Sequence, residues 1–429
     1  MPRIVQAKPL ELPQDQKVQE TPPVHAAKSM EKEPANAPTE GLARAAGYLT
    51  LIAGLNGGWL GPLIPSMARA QNLPLEQVGL ITSFLCGGAF LSQILGPGLI
   101  ARLSSRKTLI LGSSLLGLGM LSLGQLTGLW ALLSAATIMG FGTGLNGIAA
   151  HVSILTYFRE RAASALSKLN IFYGIGALAA PQIVQMCGAS QGFGYRYLLS
   201  FASSLSLLVL IRLFSLPMEE ASQTKKTEEA GASREKILTL PLILACLVIF
   251  LYVGTETATA TWLFTYILNC QTKSTSLASL SVTALFGGLT VGRLISIKVS
   301  SIFSSARVTV TAMLVMVLSL FSLAALREAA APALILTFCA GLGCGPVYPQ
   351  MIAQAAKLSP SPTLVPKVTA LAIATGAIGG IIMPGAAGQV LARLGVSQTM
   401  LSIALLALAM VSLYLFTLAL SGKKKSEQV

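Results

Sequence analysis

Glu256 is the one carboxylate inside the long apolar runs of this sequence, and Arg293 and His151 are among the few other ionisable groups there. A charge at the centre of a bilayer costs roughly 3 kcal/mol or more, so such a group serves a ligand, a proton or a structural partner. Glu256 can carry a proton or cation, accept hydrogen bonds from solute hydroxyls, or be satisfied by a neighbouring Arg or hydroxyl. Arg293 can clamp an anion through two parallel hydrogen bonds, pair with Glu256, or fix helix packing as a buried cation. His151 has an imidazole that can carry a proton, though a lone histidine is more often a satisfied core group.

Amides and aromatic rings extend the set. Asn56, Asn146, Asn170, Gln182 and Gln350 lie within apolar runs, as do Trp59, Tyr173, Trp262 and Tyr348. The amides offer donors and acceptors, and the flat rings can stack on a sugar. Each alone fits a packing role. Together they fit a small polar ligand, which needs a few placed polar groups in an otherwise apolar cavity. The candidate solute site is therefore Asn56, Trp59, Asn146, Tyr173, Glu256, Trp262 and Tyr348, with Glu256 and His151 as coupling groups and Arg293 as anion or ion-pair site.

The elements that must position these residues follow from composition. Hydrophobic residues make up 53% of the 429, charged residues 11%, and mean hydropathy is +0.70. Soluble domains carry about 25% charged residues, so most of this surface must face lipid or other apolar helices. The runs are near-continuous rather than alternating, which argues against a β-barrel. The fold class expected is an all-α integral membrane protein.

Apolar runs fall near 44–67, 77–101, 108–127, 130–157, 163–186, 197–217, 237–268, 276–298, 308–326, 331–357, 366–392 and 398–420. Each accommodates the roughly 20 residues a spanning helix needs. A polar segment at 1–41 reads as a disordered tail, 218–236 as a linker between two six-span halves (42–217 and 237–420), and 421–429 as a short basic tail. The net charge of +14 sits in the breaks between runs, so it reports topology rather than nucleic-acid binding. Even-numbered breaks hold Arg102, Arg106, Lys107, Arg159, Arg161, Lys225, Lys226, Arg234, Lys236, Arg307 and Lys357. Odd-numbered breaks hold only Arg69, Arg196, Lys273, Arg327 and Arg393. Both termini and the linker are thus expected in the cytoplasm.

The halves repeat each other at an offset near 200 residues. SFLCGGAFLSQ (83–93) matches TALFGGLTVGR (283–293), and GFGTG (140–144) matches GLGCG (341–345). GIGALAAP (174–181) matches GAIGGIIMP (376–384), and Ser104-Ser105 before Arg106-Lys107 matches Ser304-Ser305 before Arg307. On this offset Asn56 is the counterpart of Glu256, and Gln93 of Arg293. Duplicated halves around a midplane site suit a rocking mechanism.

These landmarks make the chain similar to the major facilitator superfamily over roughly 44–420. GLIARLSSRK (98–107) resembles that family's gating loop through Gly98, Arg106 and Lys107, but Arg102 stands where the acid belongs and Ser105 replaces a glycine. Within the superfamily, YVGTETATATWL (252–263), GGLTVGRL (287–294), LNIFYGIGALAAP (169–181), GLGCGPVYPQ (341–350) and GAIGGIIMPGAAG (376–388) resemble the fucose permease type of sugar–proton symporter. That resemblance implies a bacterial inner-membrane transporter of sugars or related solutes. It does not carry over proton coupling, because the first and fourth spans offer Asn56 and Asn146 where the family has acids.

The function expected is a monomeric secondary transporter in a lipid bilayer, moving a small polar solute by alternating access, with protons as a coupling ion and no cofactor. Rivals are an organic-anion transporter or drug exporter working through Arg293, and a transporter-like receptor or assembly partner without flux. No P-loop, HExxH, serine elbow or CxxC pair occurs, so no enzyme site is expected. The six cysteines show no metal-like spacing and read as small core residues.

Overall fold

In hydrocarbon every backbone N–H and C=O must be satisfied internally, and Leu/Ala-rich runs meet that demand as helices. The protein, as a computed structural model, is described at residues 37–158, 162–188, 194–215, 238–269, 274–326, 330–361 and 364–426. The tail before residue 37, the linker 218–236, Cys270 and the cations Arg159, Arg161, Lys225, Lys226, Arg234, Lys236, Lys273 and Arg327 lie outside them.

Twelve helices run through the described residues: α1 (Ala37–Gln71), α2 (Leu75–Leu103), α3 (Ser105–Gln125), α4 (Leu129–Phe158), α5 (Ala162–Met186), α6 (Gly194–Ser215), α7 (Leu240–Ile267), α8 (Thr275–Ile302), α9 (Ser305–Ala325), α10 (Ala330–Lys357), α11 (Val365–Leu394) and α12 (Val396–Ser426). Ten are long and apolar enough to cross a membrane; α1 and α5 fall short of that hydropathy.

The bounds differ from expectation mainly at the ends. α1 starts at Ala37 and takes in the last residues of the expected tail, and α12 runs through Lys423–Lys425. α2 starts at Leu75, so Glu76 joins its first turn, where the helix dipole favours an acid. Tight reversals separate α2 from α3 at Ser104 (φ 80°) and α11 from α12 at Gly395 (φ 88°). The Ser274 hydroxyl caps α8 by accepting from the Leu277 N–H at 3.3 Å.

The repeat is visible in packing. Within the first half α3 packs on α4 and α6, and α2 on α4; within the second, α9 packs on α10 and α12, and α8 on α10. Glycines permit the close approaches. A methyl group at Gly140 would collide with the Leu85 carbonyl, and one at Gly341 with the Leu285 carbonyl, 200 residues on. Small residues at such crossings let backbones meet, which is the main source of helix association where lipid is as apolar as the side chains.

Candidate functional site

The halves meet along two matching seams, α5 against α8 and α2 against α11. On the first, Gln185 Nε2 donates to Ser276 Oγ (3.1 Å) and Gln182 Nε2 donates to Thr283 Oγ1 (3.1 Å), which in turn donates to the Leu178 carbonyl (3.2 Å). The last close approach is Gly174 beside Thr290. On the second, Gly388 lies against Glu76, Gly385 against Leu80 and Ser83, and Gly380 against Cys86. All these contacts fall in the part of the bundle remote from the α1 start and α12 end. Past them Asn170 and Ile171 on α5, Leu294 on α8 and Leu91 and Ile94 on α2 are exposed. The halves are thus closed on one side and parted on the side where the helical bundle begins and ends.

Arg293 sits one turn past Thr290, where the α5–α8 seam ends. Its charge and that of Glu256 both reach the hydroxyls of Tyr173, Tyr252 and Tyr348. One carboxylate, one guanidinium and three phenols from α5, α7, α8 and α10 therefore share a neighbourhood. Glu256 and Arg293 are only partly buried, and among the described residues no salt bridge joins them. The Tyr252 hydroxyl donates to the Cys344 carbonyl at 2.8 Å, and its ring lies 6.3 Å from that of Tyr348 at 33°. The Tyr173 hydroxyl reaches across to Gly57 of α1.

Sequence reasoning overlooked Tyr252. The signal was its spacing: four residues before Glu256 on one helix, which puts both on one face.

Other candidates sit elsewhere. Asn56 is 3% exposed with neither amide atom partnered, and Trp59 is buried with its indole N–H unpartnered. Such groups cost about 1–3 kcal/mol each unless water or ligand reaches them. Asn146 is turned toward α3: its Oδ1 lies 3.5 Å from Ser113 Oγ and its side chain abuts Gly112. Trp262 is 1% exposed, donates its Nε1–H to the Pro384 carbonyl (2.9 Å) and packs on Gly79 of α2. It therefore stands in the closed seam. His151 is exposed on α4, with Nδ1 2.7 Å from the Gly147 carbonyl of its own helix.

In the loop between α2 and α3 and the first turn of α3, Arg106 donates to the carbonyls of Leu213 and Phe214 (both 2.9 Å), capping α6 within its own half. Gly98, Arg102 and Lys107 are exposed. Gln182 belongs to the seam, and Gln350 ties α8 to α9 by donating to Ser300 (2.6 Å) and accepting from Ser305 (2.5 Å). The described cysteines are all free.

A two-fold repeated twelve-helix bundle parted on one side defines the class, and comparison with known proteins agrees. The profile of the Major Facilitator Superfamily matches residues 47–327, and the chain belongs to that family of transporters rather than to any enzyme class. It is similar to the "Glucose/mannose transporter GlcP" of Bacillus subtilis (strain 168), with 25% identity over 336 residues, 75% of this chain and 81% of that one. Among solved structures, the nucleoside transporter NupG superimposes with a TM-score of 0.74 at 14% identity, over 88% of this chain and 99% of that one. The E. coli fucose:proton symporter FucP gives 0.58 at 19%, over 89% and 98%. At these identities the structural likeness shows the fold alone.

Proposed function

We propose that this transporter carries a small polar solute, sugar-like in its hydroxyl display, by alternating access between the two halves. Supporting this is the position of Glu256, Arg293, Tyr173 and Tyr348 at the level where the seams end, so that a solute entering the parted side meets them first. Phenols and a carboxylate suit a polyhydroxylated ring: the carboxylate accepts from hydroxyls, and the aromatic faces cover the apolar side of the sugar. The name of the Bacillus relative makes glucose and mannose the first solutes to try.

We further place both ends of the helical bundle in the cytoplasm of a bacterial plasma membrane, on the charge asymmetry of the breaks. Coupling, in this reading, runs through Glu256: an acid without an ion-pair partner in a site that alternates between two sides can take a proton on one and release it on the other.

A second reading has one specific observation in its favour. Among the described residues no carboxylate lies within 4.0 Å of Arg293, which leaves its guanidinium available to an anionic solute.

The test is uptake of labelled sugars and organic anions by proteoliposomes, with and without a proton gradient, for the parent and Glu256→Gln. Gradient-driven accumulation of a sugar that collapses in Glu256→Gln, while counterflow exchange persists, is the expected result. Uptake indifferent to both gradient and substitution removes the coupling role. Uptake of anions alone, lost in Arg293→Gln, selects the second reading.

A further inference from the structure

A cavity of about 490 Å3 opens between α8, α9 and α10 in the second half. That volume lies in the range of ligand sites, about 300–1,000 Å3. Its walls are apolar: Ile295, Val299 and Phe303 from α8, Val315 from α9, Leu342 and Pro346 from α10. Neither Glu256 nor Arg293 lines it, so it is separate from the proposed solute site. Ile295 and Phe303 at its rim are 48% and 50% exposed, and on a membrane-crossing bundle such a rim faces hydrocarbon.

One charge closes the apolar wall. Arg307 lines the groove from the first turn of α9, at the polar end of the helices. It is exposed, and among the described residues it has no hydrogen-bond or ion-pair partner. From Gly292 to Phe303 the α8 wall rises about 16 Å. An elongated apolar slot ending at an unpartnered guanidinium matches a ligand with a long hydrocarbon chain and an anionic head.

The first half shows how the slot arises. There Leu145 and Ile148 project onto Gly96 and fill the corresponding space. At the repeat offset the second half carries Pro346 and Pro349 in place of Leu145 and Ile148, and Ser296 in place of Gly96. Pro346 lines the groove, and its compact ring leaves unfilled space that a branched chain occupies in the first half.

We propose that this groove seats one acyl chain of an anionic phospholipid, with its phosphate held by Arg307. A zwitterionic phospholipid would fill the slot and offer the same phosphate, but its own ammonium offsets that charge and weakens its hold on Arg307. Free phosphate would engage Arg307 but leave the apolar walls uncovered. A guanidinium takes a phosphate through two parallel hydrogen bonds, and one cation near an anionic lipid surface contributes about 1 kcal/mol.

Native mass spectrometry of the full chain, released from detergent with phosphatidylglycerol or with phosphatidylcholine of the same acyl chains, reads this directly. The parent is expected to retain phosphatidylglycerol about fivefold better. Arg307→Gln should erase that preference while leaving lipid retention in place. Thr311→Trp, at an exposed groove position on α9, should lose both lipids; Pro346→Leu, which installs the filler of the first half, should lose both by an independent route. Melting curves in plain detergent establish that each variant is folded. Unchanged phosphatidylglycerol retention in both groove-filled variants overturns the proposal, as does an unchanged preference in Arg307→Gln. Stabilisation by inorganic phosphate equal to that by phosphatidylglycerol would identify a free-anion site and also overturn it.

Discussion

Gln182 of α5 donates its side-chain N–H to the Thr283 hydroxyl of α8 at 3.1 Å, and this bond joins one half of the protein to the other. The Thr283 hydroxyl in turn donates to the Leu178 carbonyl at 3.2 Å, so a short chain of hydrogen bonds stitches the closed side. Nothing equivalent holds the opposite side among the described residues. The polar part of the closed side thus rests on a few replaceable contacts along the α5–α8 seam.

Breaking that chain of hydrogen bonds should shift the equilibrium. A hydrogen bond contributes about 1 kcal/mol net, a population change of about fivefold. Gln182→Ala should favour the state opened on the now-closed side. Spin labels at the exposed Met186 and Leu280, near the outer ends of α5 and α8, should report a larger population at long distance by electron–electron resonance. An unchanged distance distribution would show that the seam is held by apolar contact alone.

Asn56→Val should separate stability from transport. Its two amide atoms are buried without partners, so replacing them with apolar atoms should leave the melting temperature equal or raise it, by about 1 kcal/mol or less of added stability. If the amide serves the solute or a water in the transport cycle, uptake should fall at least tenfold. Full uptake in a stabilised variant would show that Asn56 has no role in the cycle.

Trp262→Phe should weaken the closed seam. The indole N–H is a second donor to the Pro384 carbonyl, which also serves its own helix, so its loss costs about 1 kcal/mol net plus lost packing. Thermal unfolding should drop, while equilibrium solute affinity in the state parted on the terminal side should hold within about twofold. A large loss of affinity with an unchanged melt would place the ring in the solute site instead.

Gly341→Leu should fail at packing. A side chain there meets the Leu285 backbone, which cannot rotate away as a flexible side chain would. Overpacking of this kind costs about 1–3 kcal/mol or more, and the same change at Gly140, against Leu85, should cost a similar amount. Fluorescence-detected gel filtration after heating compares the two. A mild effect at one and a severe effect at the other would mean that the halves differ in rigidity despite their matching geometry.

Much of the bundle was legible from residue order alone, because hydrocarbon leaves a chain so few options. An apolar run must become a helix, and a repeated Gly pattern must become a repeated crossing. Glu256 and Arg293 stood out for the same reason, since an ionisable group among apolar neighbours is conspicuous in one dimension. What side each helix turns to its neighbours was not legible. Asn146 stood in the candidate set beside Glu256, yet its side chain packs on Gly112 of α3, and Trp262, as eligible as Tyr348, seals the contact with Gly79 of α2. Tyr252 went unnoticed until its hydroxyl was seen on the Cys344 carbonyl. Sequence fixes which groups a membrane must tolerate, because transfer free energy belongs to the residue type. Which of them share a neighbourhood depends on helix rotation and on contacts between residues some hundred positions apart, such as Gln182 and Thr283, and only packing in three dimensions decides that.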